Sequence, residues 1–276
     1  MTIRSHVNAS VTLPCPVRTH DHSMTNVPPC SLVTGASSGI GLAFTEHLLT
    51  HTHDRVVAVS RRAQSSPGLL ELAARHRNRL VQLEADLTNE SELSGLGDTL
   101  AGAGLRPHRV INCAGMLHGE ALPDTPEKRL EQVSKQTLKA SFAINAFAPI
   151  LLARALLPLM PREPGTVFAS LSARVGSIGD NRLGGWYAYR AAKAAQNQLL
   201  RTLAVEAQRR WPGLRVLLLH PGTTDTPLSE PFQSRVPTEK LFAPQWVAER
   251  LMHIIDTTSE QDSGRFIDWQ GKDVPW

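Results

Sequence analysis

Short runs of apolar, often β-branched residues alternate along this chain with longer stretches in which apolar positions return every three or four residues. The first pattern marks strands, the second helices that bury one face. Strand patterns fall at 31–33, 55–60, 80–84, 108–111, 165–169, 214–220 and 264–267. Helical periods fall at 42–50, in a segment ending at Arg75, and at 139–157, 186–210 and 244–255. Strand and helix in regular alternation predict one doubly wound α/β domain, a parallel sheet of about seven strands with helices on both faces. In the longest helical run, alanines fill the turn between Tyr189 and Lys193, and Ala194, Ala195, Leu199 and Leu203 continue at helical spacing. Tyr189 and Lys193 therefore project from one face and can touch a common object.

A length of 276 residues accommodates one such domain with a sizeable core, and no boundary divides it. The stretch 1–29 is different: His6, His20 and His22 stand among Thr, Ser and Asn around a Pro14-Cys15-Pro16 turn, with neither period and no apolar signal stretch. We expect 1–29 to be a disordered extension, the functional chain opening near Met24, and 30–276 to be the domain. His20-Asp21-His22 is a metal-type cluster in a polar tail, and no metal site is expected from it. The net charge is +4, with basic residues scattered or beside acids, so nucleic acid is not an expected partner. Cys15, Cys30 and Cys113 show no CxxC or Cys/His spacing, which fits a reducing cytoplasm better than a disulfide framework or a zinc site. No apolar run approaches the ~20 residues that span a bilayer. A soluble, cytoplasmic protein is the expectation.

The chemistry begins with the pair on the long helix. A lysine ammonium held near a phenol favours the phenolate and would bring Tyr189 towards working pH as a proton donor or acceptor. Alone, a tyrosine and a lysine at this spacing are an ordinary helix-surface pair. The strand 31–33, however, runs into Thr34-Gly35-Ala36-Ser37-Ser38-Gly39-Ile40-Gly41 and then a helix. Glycines at a strand-to-helix turn let the backbone bend and let a phosphate approach the helix N-terminus, where free N–H groups and the dipole favour negative charge. The spacing is GxxxGxG, which makes Gly35, Ser37, Ser38, Gly39, Ile40 and Gly41 a candidate dinucleotide cradle. The second strand ends in Ser60-Arg61-Arg62 with no acid, the pattern of a site that takes a ribose 2′-phosphate. NADP(H) is thus expected over NAD(H), with Ser60 and Arg61 as contacts. Asp86, followed by Leu87, either accepts from the adenine amino group or caps the helix that starts near Asn89. Asn112-Cys113-Ala114-Gly115 is a small-residue turn where backbone must lie close to something flat. No activating partner for Cys113 as a nucleophile is visible.

In this order the motifs resemble the short-chain dehydrogenase/reductase family: Thr34-Gly-x-x-x-Gly39-x-Gly41, Asp86, the Asn112 to Gly115 turn, Asn145 in the helix 139–157, Tyr189-x-x-x-Lys193 and Pro221-Gly222. The likeness covers about 31–276. Gly176-Ser177-Ile178, Gly184-Gly185-Trp186-Tyr187, Gly264-Arg265-Phe266 and the terminal Pro275-Trp276 look like its C-factor-like branch. The resemblance implies a Rossmann-type fold and reduction of a carbonyl, or oxidation of an alcohol, by hydride transfer with Tyr189 as acid. It implies that Lys193 lowers the tyrosine pKa and binds the nicotinamide ribose, and that Asn145 holds a water behind Lys193 at a bend in its helix. It implies that Asn112, Ala114, Gly115, Pro221, Gly222, Thr223 and Thr226 line the cofactor. Relatives usually carry two adjacent serines before Gly176; here the nearer position is Ala173, so Ser172 is expected to polarise the carbonyl, with Ser177 as the other candidate. The segment 227–242, with Leu228, Phe232, Val236, Leu241 and Phe242, reads as a mobile lid over a small or medium apolar carbonyl compound. A homodimer or homotetramer through the Asn145 and Tyr189 helices follows from the family. An NADP(H)-sensing protein with vestigial turnover is the alternative that the Ala173 departure keeps open.

Overall fold

The computed structural model describes residues 29–119 and 125–276. The expectations for 1–28, including the extension, the start near Met24 and His20-Asp21-His22, lie outside the described residues. In chain order the elements are β1 (Cys30–Thr34), α1 (Gly39–His51), β2 (Arg55–Ser60), α2 (Pro67–Arg75), β3 (Leu80–Glu84), α3 (Glu90–Gly102) and β4 (Pro107–Asn112). There follow α4 (Lys135–Phe142), a π-helical turn (Ala143–Phe147), α5 (Ala148–Leu156), β5 (Thr166–Leu171), α6 (Tyr187–Arg210) and β6 (Leu214–His220). Two short strands, β7 (Thr223–Thr224) and β8 (Leu241–Phe242), precede α7 (Pro244–Thr257) and β9 (Phe266–Asp268).

Seven strands pair in the order β3-β2-β1-β4-β5-β6-β9, all in parallel. This is a single Rossmann-like domain. Strand order reverses between β1 and β4, which opens a crevice beyond their C-terminal ends, where open α/β sheets bind ligands. Side chains alternate across the sheet: Leu32, Val57, Val59, Phe168, Val216 and Leu218 pack with α3, α5 and α6, while Val33, Val56, Ala58, Leu217 and Leu219 pack with α1, α2 and α7. Burying each Val, Leu or Phe of this set stabilises the fold by about 1.5–3 kcal/mol.

Local chemistry starts the helices. Ser66 accepts from Leu69 N with Pro67 in the first turn of α2, Asn89 accepts from Ser91 N and Glu92 N at α3, and Ser134 accepts from Thr137 N at α4. Capping of α3 thus falls to Asn89, and the Asp86 carboxylate takes the N–H and hydroxyl of Thr88 instead. α1 begins at Gly39, earlier than the apolar period indicates, so Gly39 and Gly41 belong to the helix itself. One reading is corrected outright: the helical run Lys135–Leu156, 22 residues, is long and apolar enough to cross a membrane by length and composition. Its apolar character serves the core, where Ala148, Leu152 and Leu156 lie against the sheet.

Candidate active site

Two turns meet at the crevice. The glycine turn after β1 carries Gly35 in the left-handed region at φ +63°, and a Cβ there would stand 2.9 Å from Ala114 N in the turn after β4. A Cβ at Gly41 would overlap the Gly35 carbonyl oxygen, so only a glycine lets α1 begin this close under the turn. Thr34 Oγ1 donates to Asn112 Oδ1 at 2.6 Å and accepts from Ala114 N at 3.4 Å, locking the two turns together. Pro221, Gly222 and Thr223 follow β6 at the same end of the sheet, and a Cβ at Gly39 would stand 3.0 Å from Thr226 Cγ2. Ser37, Ser38 and Ile40 surround the α1 N-terminus, whose cap Ser38 makes no side-chain cap bond. Those first N–H groups present the anion site that a pyrophosphate requires.

At the end of β2, Ser60 is only 8 % exposed, yet its hydroxyl has no partner. A buried polar atom without a partner is costly unless a ligand satisfies it. Arg61 is exposed beside it, on the side towards Asp86. The groups present therefore fit a phosphorylated adenosine end, and Leu87, after β3, is buried in the core.

On α6, Tyr189 is half-buried and Lys193 is 3 % exposed. Lys193 Nζ donates to the Leu171 carbonyl oxygen and to Gln196 Oε1, each at 2.9 Å, and lies 5.8 Å from the centre of the Tyr189 ring. Burial pushes the Lys193 ammonium down to about 7 and raises the Tyr189 phenol above its ordinary value. Desolvation is the leading cause at both groups, and the Lys193 ammonium is held by Leu171 and Gln196. Gln196 Nε2 donates to Ser170 Oγ at 2.9 Å, and Asn112 Nδ2 donates to the same hydroxyl at 2.8 Å. A buried polar chain thus runs from Lys193 through Gln196, Ser170 and Asn112 to Thr34 at the glycine turn. Sequence reasoning passed over Gln196 and Ser170, although a glutamine three residues from a buried lysine on one helix face is a signal.

Asn145 sits in the π-helical turn, which is the bend in its helix. Its side chain clamps one residue: Oδ1 accepts from Met116 N at 3.1 Å and Nδ2 donates to Met116 O at 2.8 Å and to Ser141 Oγ at 3.2 Å. A Cβ built on Gly115 would stand 3.1 Å from Asn145 Oδ1 and 3.8 Å from Lys193 Nζ, so Gly115 lies between them without a side chain to intrude. Cys113, beside Lys193, has its thiol pushed up by burial, the opposite of an activated nucleophile.

Both candidate serines have hydrogen-bond partners of their own. Ser172 Oγ donates to Asn197 Oδ1 at 2.6 Å and is 3 % exposed, and Ser177 Oγ accepts from Asp180 N at 3.0 Å and is also buried. The Ser172 hydroxyl is held by α6 and the Ser177 hydroxyl by the turn to Asp180, so either would have to leave that partner to polarise a substrate. Strand alternation sets the difference from the neighbouring position: Ser172 follows β5 on the face towards α6, while Ala173 takes the next, opposite, direction. His220, at the end of β6, accepts from Arg174 N at 3.3 Å and is pushed down to about 4 by burial.

Segment 227–242 forms two 3-10 turns (Glu230–Arg235 and Thr238–Lys240), and β8 at its end pairs with β7 after Gly222. Phe232 of the first turn lies against Trp186, which precedes α6 and packs against Tyr189. Among the described residues no group of three or more His, Cys, Asp or Glu is placed to hold a metal.

Comparison with known proteins agrees with this geometry. A family model for short chain dehydrogenase matches residues 30–237. The chain is 35% identical over 147 residues to the C-signal protein of Myxococcus xanthus, covering 53% of this chain and 83% of that one. It is 27% identical over 245 residues to 1-hydroxy-2-glutathionyl-2-methyl-3-butene dehydrogenase of Rhodococcus sp. (strain AD45), covering 89% and 98%. Among solved structures, the NADPH-bound carbonyl reductase from chicken fatty liver superposes with a TM-score of 0.75 at 28% identity, over 91% of this chain and 99% of that one.

Proposed function

Because the chain belongs to the short-chain dehydrogenase family, in its C-factor-like branch, and is an oxidoreductase by that membership, we propose that it is an NADP(H)-dependent reductase of a carbonyl compound, or in reverse a dehydrogenase of a secondary alcohol. The observation that carries the reading is the placing of Lys193 and Asn145 beside Gly115, with the Tyr189 ring centred 5.8 Å from the Lys193 ammonium. The cofactor, when bound, supplies or takes up the hydride at the substrate carbon. Gly35, Ser37, Ser38, Gly39, Ile40 and Gly41 would hold its pyrophosphate, Ser60 and Arg61 its 2′-phosphate, Asp86 and Leu87 its adenine. Asn112, Ala114, Gly115, Pro221, Gly222, Thr223 and Thr226 would line the nicotinamide half.

In the reductive direction Tyr189 gives its hydroxyl proton to the developing alkoxide oxygen and is left as phenolate. A protonated Lys193 favours that phenolate and would bind the ribose hydroxyls on moving from Gln196. Asn145, by holding Met116 and the π turn, keeps open the path by which a proton returns. With alanine at 173, a serine hydroxyl serves the substrate oxygen only if Ser172 leaves Asn197 or Ser177 leaves Asp180 N, and otherwise Tyr189 carries the polarisation as well as the proton. Phe147 and Val205, large apolar side chains exposed near the Asn145 turn and on α6, are available for the expected homodimer or homotetramer.

The same alanine favours a second reading, an NADP(H)-responsive protein whose turnover is vestigial. NADPH consumption over aldehydes, ketones and quinones, with wild type and Tyr189→Phe, tests both while NADPH and NADH binding are titrated by fluorescence. Turnover lost in the variant with NADPH still bound supports the reductase. Tight NADPH binding with no turnover in either protein supports the sensor, and turnover unchanged in the variant overturns the mechanism.

A further inference from the structure

Trp186 is the one residue other than glycine with positive φ among the described residues, at +52°, and it follows Gly184 and Gly185 at +62° and +66°. A bulky side chain persists in this conformation only where its surroundings hold it, and such outliers gather at ligand sites. Here the holding group is Glu127, itself 3 % exposed: its carbonyl oxygen accepts from Trp186 N at 2.5 Å and its carboxylate accepts from Ala188 N at 3.4 Å. As N-cap of α6, Trp186 accepts from Arg190 N at 2.8 Å through its carbonyl oxygen but makes no side-chain cap bond, and Asn or Gly would suit the left-handed backbone better. What the conformation accomplishes is the placing of the indole. The ring stands 6.4 Å from the Tyr189 ring at 70° and 5.0 Å from the Phe232 ring at 55°.

A third element joins them. His118, on the loop after β4, meets Phe232 edge-on at 6.2 Å, and its Nε2–H donates to the Pro227 and Leu228 carbonyl oxygens at 3.2 and 3.1 Å. The start of α6, segment 227–242 and the β4 loop therefore each bring one ring to a single aromatic cluster, which meets the Tyr189 ring through Trp186. Trp186, Phe232 and His118 are all half-buried, so ring surface remains open. Arg190, next to Tyr189, is turned away to the Gly185 and Val175 carbonyl oxygens.

We propose that Trp186, Phe232 and His118 form an aromatic wall that selects planar, conjugated carbonyl compounds, such as aryl ketones, aryl aldehydes and quinones, over saturated ones of the same outline. The proposal rests on the reductase reading and names its substrate class. A flat π-system stacks on these rings, while a saturated ring of equal diameter is thicker and lacks the quadrupole; aromatic pairing at this strength corresponds to roughly three- to tenfold in kcat/KM.

The test compares acetophenone with cyclohexyl methyl ketone under NADPH in wild type, Trp186→Asn and Phe232→Leu. Asparagine tolerates the left-handed backbone, and the second variant lies in a different element, so a folding defect at one site leaves the other informative. Wild type is expected to favour acetophenone by roughly three- to tenfold, with the ratio falling towards one in both variants and the change carried by KM. No preference in wild type, or a ratio unmoved in both variants, overturns the proposal while leaving the reductase standing. If wild type turns over neither ketone, the reductase reading is decided by the wider panel above, and the wall is read by binding of 2-acetylnaphthalene to the NADPH-loaded protein by fluorescence. Weaker binding in Trp186→Asn than in wild type supports the wall, and equal binding overturns it.

Discussion

Lys193 is tethered to Gln196, its neighbour one turn along α6, by a 2.9 Å hydrogen bond, with its ammonium 5.8 Å from the centre of the Tyr189 ring. A buried ammonium with only neutral acceptors carries a cost that depends on pH. Its value in the folded protein is about 7 against an ordinary 10.5, so between these the unfolded chain binds more protons than the folded one. Stability should therefore rise as pH increases through this window, with the cost fully present below about 7. Cys113, raised by burial, acts in the opposite sense above its ordinary value of 9.0. Urea unfolding of wild type and Lys193→Met from pH 6 to 9 separates the two: the wild-type protein should gain on the variant with rising pH, by at most ~1.4 kcal/mol per pH unit.

The serine positions give opposite expectations for two neighbouring residues. Ser172→Ala removes the donor to Asn197 Oδ1 and leaves a buried acceptor unpaired, which should cost about 1–3 kcal/mol in denaturant unfolding. Its effect on kcat should be small. Ala173→Ser, by contrast, adds a hydroxyl where relatives usually have one and should raise kcat, towards the ~10²-fold that a single oxyanion-type donor contributes. Steady-state kinetics with NADPH check both; a kcat that collapses in Ser172→Ala would restore Ser172 to the site.

Discrimination between the two nicotinamide cofactors should follow Arg61. A charge-assisted hydrogen bond contributes about 1.5–3 kcal/mol, so Arg61→Ala should weaken NADPH binding roughly 10- to 100-fold and leave NADH within about twofold. Ser60→Ala should weaken NADPH less, and should not destabilise the unliganded protein, since its hydroxyl has no partner to lose. Fluorescence titration with both cofactors decides it.

Gly41→Ala examines the turn without touching a charge. The added methyl would overlap the Gly35 carbonyl oxygen, so α1 must withdraw or the turn must open. Binding of both NADPH and NADH should fall by more than tenfold, and thermal unfolding should shift down, overpacking costing about 1–3 kcal/mol. Equal loss of the two cofactors distinguishes this variant from Arg61→Ala.

Strands, helices and the two phosphate-side turns are legible in the sequence because each is written in neighbouring residues: apolar period, glycine at a strand end, a Ser or Asn ahead of a helix. The shared face of Tyr189 and Lys193 is of the same kind, since four residues make about one helical turn. What a side chain does once there is not legible in this way. Ser172 finds Asn197, Asn145 finds Met116, Trp186 finds Glu127 and Phe232, and Ser60 finds no partner, all across separations that no local period encodes. Burial then turns Lys193 into a group near 7 and raises the Tyr189 phenol, because desolvation depends on everything packed around a charge and not on the residue beside it. Local chemistry is enough for the frame and the shared face of Tyr189 and Lys193; hydrogen-bond partners, protonation and the meeting of Trp186 with Phe232 are decided only when distant segments close on one another.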